Sequence, residues 1–327
     1  VPFFSEKVDI FIGNENDKNF YFKNSSLDKY EEKSFEMGIS DRYEHVRGVT
    51  SLDLNNDGLL DLVYGNWEGN HRMFVQKNGR FENIANKTFE SKSKVRTVLS
   101  ADFDNNGFEE IFFNNIGEPN RLFEYNEFLG VWESKNLGPA LEPNGLGTGA
   151  VVADLNLNGR LELFISHGES GRQPLTIYEN VRNDNNFIRI LPLTKFNAPA
   201  RGAKVIVIQN SRAQIRFIDS GSGYLCQMEP VAHFGLGKNK NVIKVIVEWP
   251  DGNKKEILNP IPNKTIKVLY WYLKSQIINV LLGPKDLGIH ALPIHNAVVV
   301  GRAWVGIIST RETSLEVIAS EVFNDTD

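Results

Sequence analysis

A nine-residue pattern of Asp, Asn and Gly recurs in register through the first half of this chain, and that repeat limits the fold more than any other feature. DLNNDGLLD begins at Asp53, DFDNNGFEE at Asp102 and DLNLNGRLE at Asp154, 49 and 52 residues apart. A short apolar segment precedes each copy (GVTSL, RTVLSA, GAVVA), and two or three more follow it, the first being LVYGN, IFFNN and LFISH. Four strands per unit of about 50 residues is the period of a propeller blade. The segments VDIFIGN and NFYFKN, from Val8 to Asn24, match the strands after a loop but lack the strand and loop before it. The sequence therefore predicts three whole blades and one partial one, over residues 1–185. The first residue is Val1 rather than Met and the chain starts mid-repeat, so missing upstream blades are the favoured remedy for the open ring. Expressed alone, such a segment is expected to be oligomeric or poorly stable, with other blades, a partner chain or the tail covering its edges.

The loops have the chemistry of a hard-cation site. Calcium takes six to eight oxygens from carboxylates, amides, backbone carbonyls and water, and alternate residues of a tight loop converge on one ion. The first loop offers Asp53, Asn55, Asp57, the Leu59 carbonyl and Asp61, with Gly58 at the bend. The second offers Asp102, Asp104, Asn106, the Phe108 carbonyl and Glu110, around Gly107. The third offers Asp154, Asn156, Asn158, the Arg160 carbonyl and Glu162, around Gly159. An all-oxygen set favours Ca2+ over zinc or copper, and magnesium is disfavoured because it prefers stricter octahedral geometry and retained waters. Asp, Asn and Gly are common in turns, but three loops in matching register argue against that plain reading. The third loop has only two carboxylates and carries Arg160, so the expected order of occupancy is first, second, third.

From about Asn186 the pattern changes to period-two alternation in FIRILPL, GAKVIVI, AQIRFIDSG and NVIKVIVEW, with a hairpin turn at WPDGN. Residues 186–270 read as a small β-sandwich-like domain. Residues 271–327 form an unassigned tail, in which HNAVVVGRAWVGIIST reads as strand and SLEVIASEVF as a short helix.

Composition closes off several classes. The net charge of -5, with no basic stretch, argues against nucleic-acid binding. One cysteine, Cys226, excludes an intrachain disulfide framework. The longest apolar run, residues 297–308, is short and contains Arg302, so no membrane span is expected. The six histidines have no metal-ligand spacing, and GSG at Gly221 lacks the spacing of a nucleophile elbow, so no catalytic residue is assigned. Tyr224, His233 and Trp249 read as structural anchors of the second domain.

These residues carry a resemblance. The D-x-N-x-D-G-x-x-D loops with DLVYGN and NRLF resemble VCBS/FG-GAP repeats, which build integrin-like β-propellers with calcium in the loops. RGAK at Arg201, GSGY at Gly221, HFGLG at His233 and VEWPDG at Val247 resemble the ASPIC/UnbV domain. Together they are similar to the cartilage acidic protein family over residues 8–268. The resemblance implies an all-β fold, an extracellular or secreted setting (periplasmic or cell-surface in a bacterium), and a calcium-stabilised adhesion protein with a protein or carbohydrate ligand. It also leaves open an UnbV-like accessory or catalytic role in secondary metabolism. Glu110, Asn158 and Glu162 depart from the family's Asp. The animal members end in a cysteine-rich module with no counterpart in this sequence, and the Asn- and Lys-rich, cysteine-poor composition suits a microbial member.

Overall fold

Strands with alternating or fully apolar faces, punctuated by Gly and Asn turns, fold here as consecutive antiparallel meanders. The computed structural model describes residues 8–26, 29–168, 171–180, 184–210, 212–219 and 221–270, all within one compact unit, Val1–Tyr272. The strands and helix expected in the tail lie outside the described residues.

The partial unit forms a sheet of β1 (Ile10–Ile12), β2 (Phe20–Ser26) and β3 (Lys29–Glu32). The first whole blade is β4 (Val46–Leu52), β5 (Asp61–Asn66), β6 (Arg72–Lys77) and β7 (Arg80–Asn83), paired in sequence order. The second is β8 (Val95–Ala101), β9 (Glu110–Asn115), β10 (Arg121–Asn126) and β11 (Val131–Lys135). The third has three described strands, β12 (Gly147–Ala153), β13 (Glu162–His167) and β14 (Thr176–Tyr178). In each whole blade the acid at loop position nine is the first residue of the second strand. Blade-to-blade packing explains the fully buried strands: every residue of β5, β8 and β9 is buried. Tyr64, Phe112 and Phe113 are completely covered. Between the first two blades a one-turn helix (Lys87–Glu90), capped by Asn86 accepting from the Phe89 N–H, plants Phe89 in the shared core. The inner strands meet through polar groups too, with Thr50 Oγ1 3.2 Å from Ser100 Oγ.

The second domain is a sandwich of two sheets. One has the order β18–β15–β21 and the other β17–β16–β19–β20, built from β15 (Asn186–Pro192), β16 (Lys204–Ile208), β17 (Ala213–Phe217), β18 (Ala232–Gly237), β19 (Lys244–Glu248), β20 (Lys254–Leu258) and β21 (Thr265–Val268). Val205, Val207, Val245 and Val247 from one sheet face Ile188, Ile190 and Phe234 from the other across a dry core. Trp249 closes one end and donates from Nε1 to the Leu193 carbonyl at 2.9 Å. The expected turn at 249–253 is a hairpin closed by Trp249 N to Asn253 O at 2.8 Å. The sequence patterns did not mark β18 or β21; β21 runs parallel to β15, a pairing no local signal reports. Among the described residues no helix is long and apolar enough to cross a membrane.

Candidate metal centre

All three loops fold alike, because each first Asp acts as an internal cap. Asp53, Asp102 and Asp154 accept the backbone N–H of Gly58, Gly107 and Gly159 at 2.8–2.9 Å. Those glycines have φ of 87°, 100° and 80°, which other residues adopt at a cost. Position four is also left-handed: Asn56, Asn105 and Leu157 have φ of 56°, 56° and 59°. Asn tolerates this region, whereas leucine is strained in it and gains nothing here, since Leu157 is exposed. Leu157→Asn is therefore expected to raise stability by about 0.5–1 kcal/mol, read from denaturant midpoints. A loss of stability would show that the leucine side chain has a packing role.

The loops differ in what they leave open. In the first, both Asp61 oxygens accept backbone N–H groups, from Leu54 and Gln76. Both Asp53 oxygens are likewise used, by Asp57 N and Gly58 N, while Asn55, Asp57 and Leu59 are exposed. In the third, Asp154 is doubly occupied by Asn158 N and Gly159 N, and Glu162 by Leu155 N and the Asn156 amide. Asn156 and Asn158 are exposed, and the Arg160 N–H donates to Asn158 Oδ1. A buried guanidinium also reaches this loop, with Arg189 Nη1 3.4 Å from Asp154 Oδ2. The second loop alone, among the described residues, brings three carboxylates together: Asp102, Asp104 and Glu110 each place an oxygen within 4.8 Å of the others. Asp102 Oδ1 is buried and has no hydrogen-bond partner. Asn106 stands beside Asp104, and its Oδ1 accepts the Phe108 N–H.

A fully buried acceptor with nothing to accept is costly unless a cation fills the gap. The electrostatics agree. Burial, and then Asp104, push the Asp102 carboxyl up to about 7 against the pull of Arg216, and burial with Asp102 and Asp104 holds Glu110 well above its ordinary value. Burial, helped by the charges of Asp57 and Asp53, carries Asp61 up to about 7 despite its two N–H donors. The residues of the second loop thus form the set most open to a cation, whereas the sequence places the first loop ahead of it.

The reason is the second domain, which encloses this loop. Gly235 N donates to Asp102 Oδ2 at 2.8 Å, and a Cβ at Gly235 would lie 2.3 Å from the Asn105 backbone. Gly237 N donates to Asn105 O, Arg212 to Asn106 O, Arg216 to Gly107 O and Asn185 to Asp104 O. His233 Nε2 lies 2.6 Å from Asn105 Oδ1, whose amide nitrogen donates to Gly159 O. That geometry makes Nε2 the donor, and burial with Arg189 and Arg216 holds the imidazole well below its ordinary pKa, so it is neutral. His233 and Trp249 hold structure, as expected, but His233 does so across the domain boundary. Tyr224 also crosses it, with the Arg96 guanidinium 5.7 Å from its ring centre. HFGLG at His233 is consequently a loop-binding strand, a role that becomes visible only once Asn105 is known to be its neighbour.

The FG-GAP-like repeat family matches residues 53–113, and the ASPIC and UnbV family matches residues 193–271. Cartilage acidic protein 1 of Mus musculus is 45% identical over 283 residues, 81% of this chain and 43% of that protein. The Homo sapiens protein of that name is 46% identical over 81% of this chain and 42% of its own length. The Xenopus tropicalis protein is 46% identical over 76% and 40%. The chain spans less than half the length of these relatives. Among solved structures, the SapL1 lectin in complex with alpha methyl fucoside aligns at a TM-score of 0.26 and 10% identity, over 68% of this chain and 84% of that one, a likeness too loose to carry an argument.

Proposed function

The chain belongs to the cartilage acidic protein-like family, FG-GAP-like repeats followed by an ASPIC and UnbV domain, and we propose that it is an extracellular binding protein in which calcium locks the repeat blades to the second domain. One observation carries this reading: Asp102, Asp104 and Glu110 converge around an unpartnered, buried Asp102 oxygen in a loop held by backbone bonds to the second domain. Asp102, Asp104, Asn106, the Phe108 carbonyl and Glu110 would hold the ion. When bound, calcium supplies positive charge that relieves three carboxylates of their mutual repulsion. The third loop's Asp154 already has a cation in Arg189, so it ranks last, and the exposed first loop ranks between them. An extracellular setting fits oxygen-only loop sites, because weak sites of this kind fill at extracellular calcium levels. The exposed blade and sandwich surfaces are left for an adhesion partner, protein or carbohydrate.

The test is thermal unfolding with calcium and with chelator. A ligand that binds only the native state adds about 2.7 kcal/mol at a hundredfold excess over Kd. In chelator, Asp61 and Asp102 bind protons more tightly when folded (about 7) than unfolded (about 3.9), so the folded state holds the extra protons. Stability without calcium should then fall as pH rises from about 4 to about 7, and calcium should offset that fall at the upper end. Identical melting curves with and without chelator at pH 7 would refute the reading.

A further inference from the structure

We infer that the second loop's metal is also a ligand-binding group, which takes a neutral vicinal diol, as on a sugar, in the cleft between the second and third blades. The inference rests on the calcium reading of that loop. A cleft of about 320 Å³ opens there, in the size range of small-ligand sites. Asp104 and Glu110, two of the three converging carboxylates, form part of its wall, whereas Asp102 faces the inner side of the blades. An ion held among the three thus has the cleft on one flank. The loop offers about five of the six to eight oxygens calcium takes, which leaves room for one or two more from outside the protein. The buried, unpartnered Asp102 Oδ1 independently marks the place as one that awaits a cation.

The charge balance selects the ligand class. Asp102, Asp104 and Glu110 outweigh a divalent ion by one charge. The Lys135 ammonium is shared between Glu124 and Asp104, 3.9 Å away, so that it offsets no more than the added Glu124 charge, and Glu179 adds a further negative charge at the cleft. A carboxylate or phosphate would enter a negative field, whereas two hydroxyls of a diol add oxygens without charge. Beside Asn136 and Asn180 the cleft also has an apolar wall, with Leu137, Leu163 and the Tyr178 ring, which suits the C–H face of a sugar. Tyr178 is fixed in place by its hydroxyl, which donates to Glu142 at 2.6 Å.

The experiment is calorimetric titration of the full chain in two stages. Calcium is titrated first into chelator-stripped protein, which tests the metal reading by itself. Methyl α-mannoside, methyl β-galactoside and methyl α-glucoside, all neutral, are then titrated into the calcium-loaded protein, with benzoate as the anionic competitor. At least one glycoside should bind saturably, lose binding in chelator, and resist displacement by benzoate. Leu137→Trp, which fills the cleft without touching a ligating residue, should weaken glycoside binding by about tenfold or more while calcium binding stays unchanged. Calcium binding with no glycoside binding, displacement by benzoate, or full glycoside binding by Leu137→Trp would each overturn the inference and leave the calcium reading standing.

Discussion

Asp102→Ala is expected to cost this chain on the order of 4 kcal/mol of stability in calcium, the largest loss from any single loop substitution. Two effects combine. Asp102 Oδ2 accepts two N–H groups, from Gly107 in its own loop and Gly235 in the second domain, and both would be left buried and unpaired at about 1–3 kcal/mol each. The calcium contribution, about 2–3 kcal/mol at saturation, disappears with the carboxylate. Asp102→Asn separates the two, since an amide oxygen still accepts the N–H groups but brings no charge. It should lose most of the calcium-dependent stability and little of the rest, whereas the exposed Asp57→Ala should cost less than either and still more than Asp154→Ala costs in calcium dependence. Denaturant unfolding with and without calcium reads all four. An Asp102→Ala protein as stable as its parent would remove the keystone role assigned to this residue.

Arg189→Met should be nearly as damaging, at about 3–5 kcal/mol, for a different reason. The Arg189 side chain is 1% exposed and lies between Asp154 of the third loop and Glu229 of its own domain, with Thr265 Oγ1 3.2 Å from Nη1. Methionine fills much of the volume but leaves Asp154, whose side chain is fully covered, without a countercharge. Adding Asp154→Asn to Arg189→Met should recover part of the loss, because the uncompensated charge goes with it. The single variant should also respond to calcium more than the parent does, since the third loop then competes for a cation. A cost below about 1 kcal/mol would mean that the pair is solvated enough to be dispensable.

The repeat, the blade strands and the sandwich were legible because their signals are local: period-two alternation, Gly at the loop bend, and an acid where the second strand starts. Asp53, Asp102 and Asp154 were recognisable as equivalent for that reason, and they do make equivalent caps. What separates them was not legible. Each loop's environment is set by residues distant in sequence, 133 positions for Gly235 against Asp102 and 35 for Arg189 near Asp154, and spacing in one chain does not report such pairings. Carboxylate count set only the third loop last, and the sequence placed the first ahead of the second, although Asp57 and Asn55 are exposed while the second loop is enclosed. Arg160 was a fair warning for the third loop, but the cation that reaches its first Asp is Arg189, from a strand that reads simply as core. The left-handed fourth position was within reach: two of the three loops have Asn there, and Leu157 stands out.

The central claim is that the second loop binds calcium and that Asp102 is the residue on which the ion depends. Equilibrium dialysis of calcium against chelator-stripped wild type, Asp102→Asn and Asp154→Asn tests it most directly. The account predicts that the tightest site weakens by at least about tenfold in Asp102→Asn and is unchanged in Asp154→Asn. Calcium binding that is the same in Asp102→Asn as in wild type would contradict it.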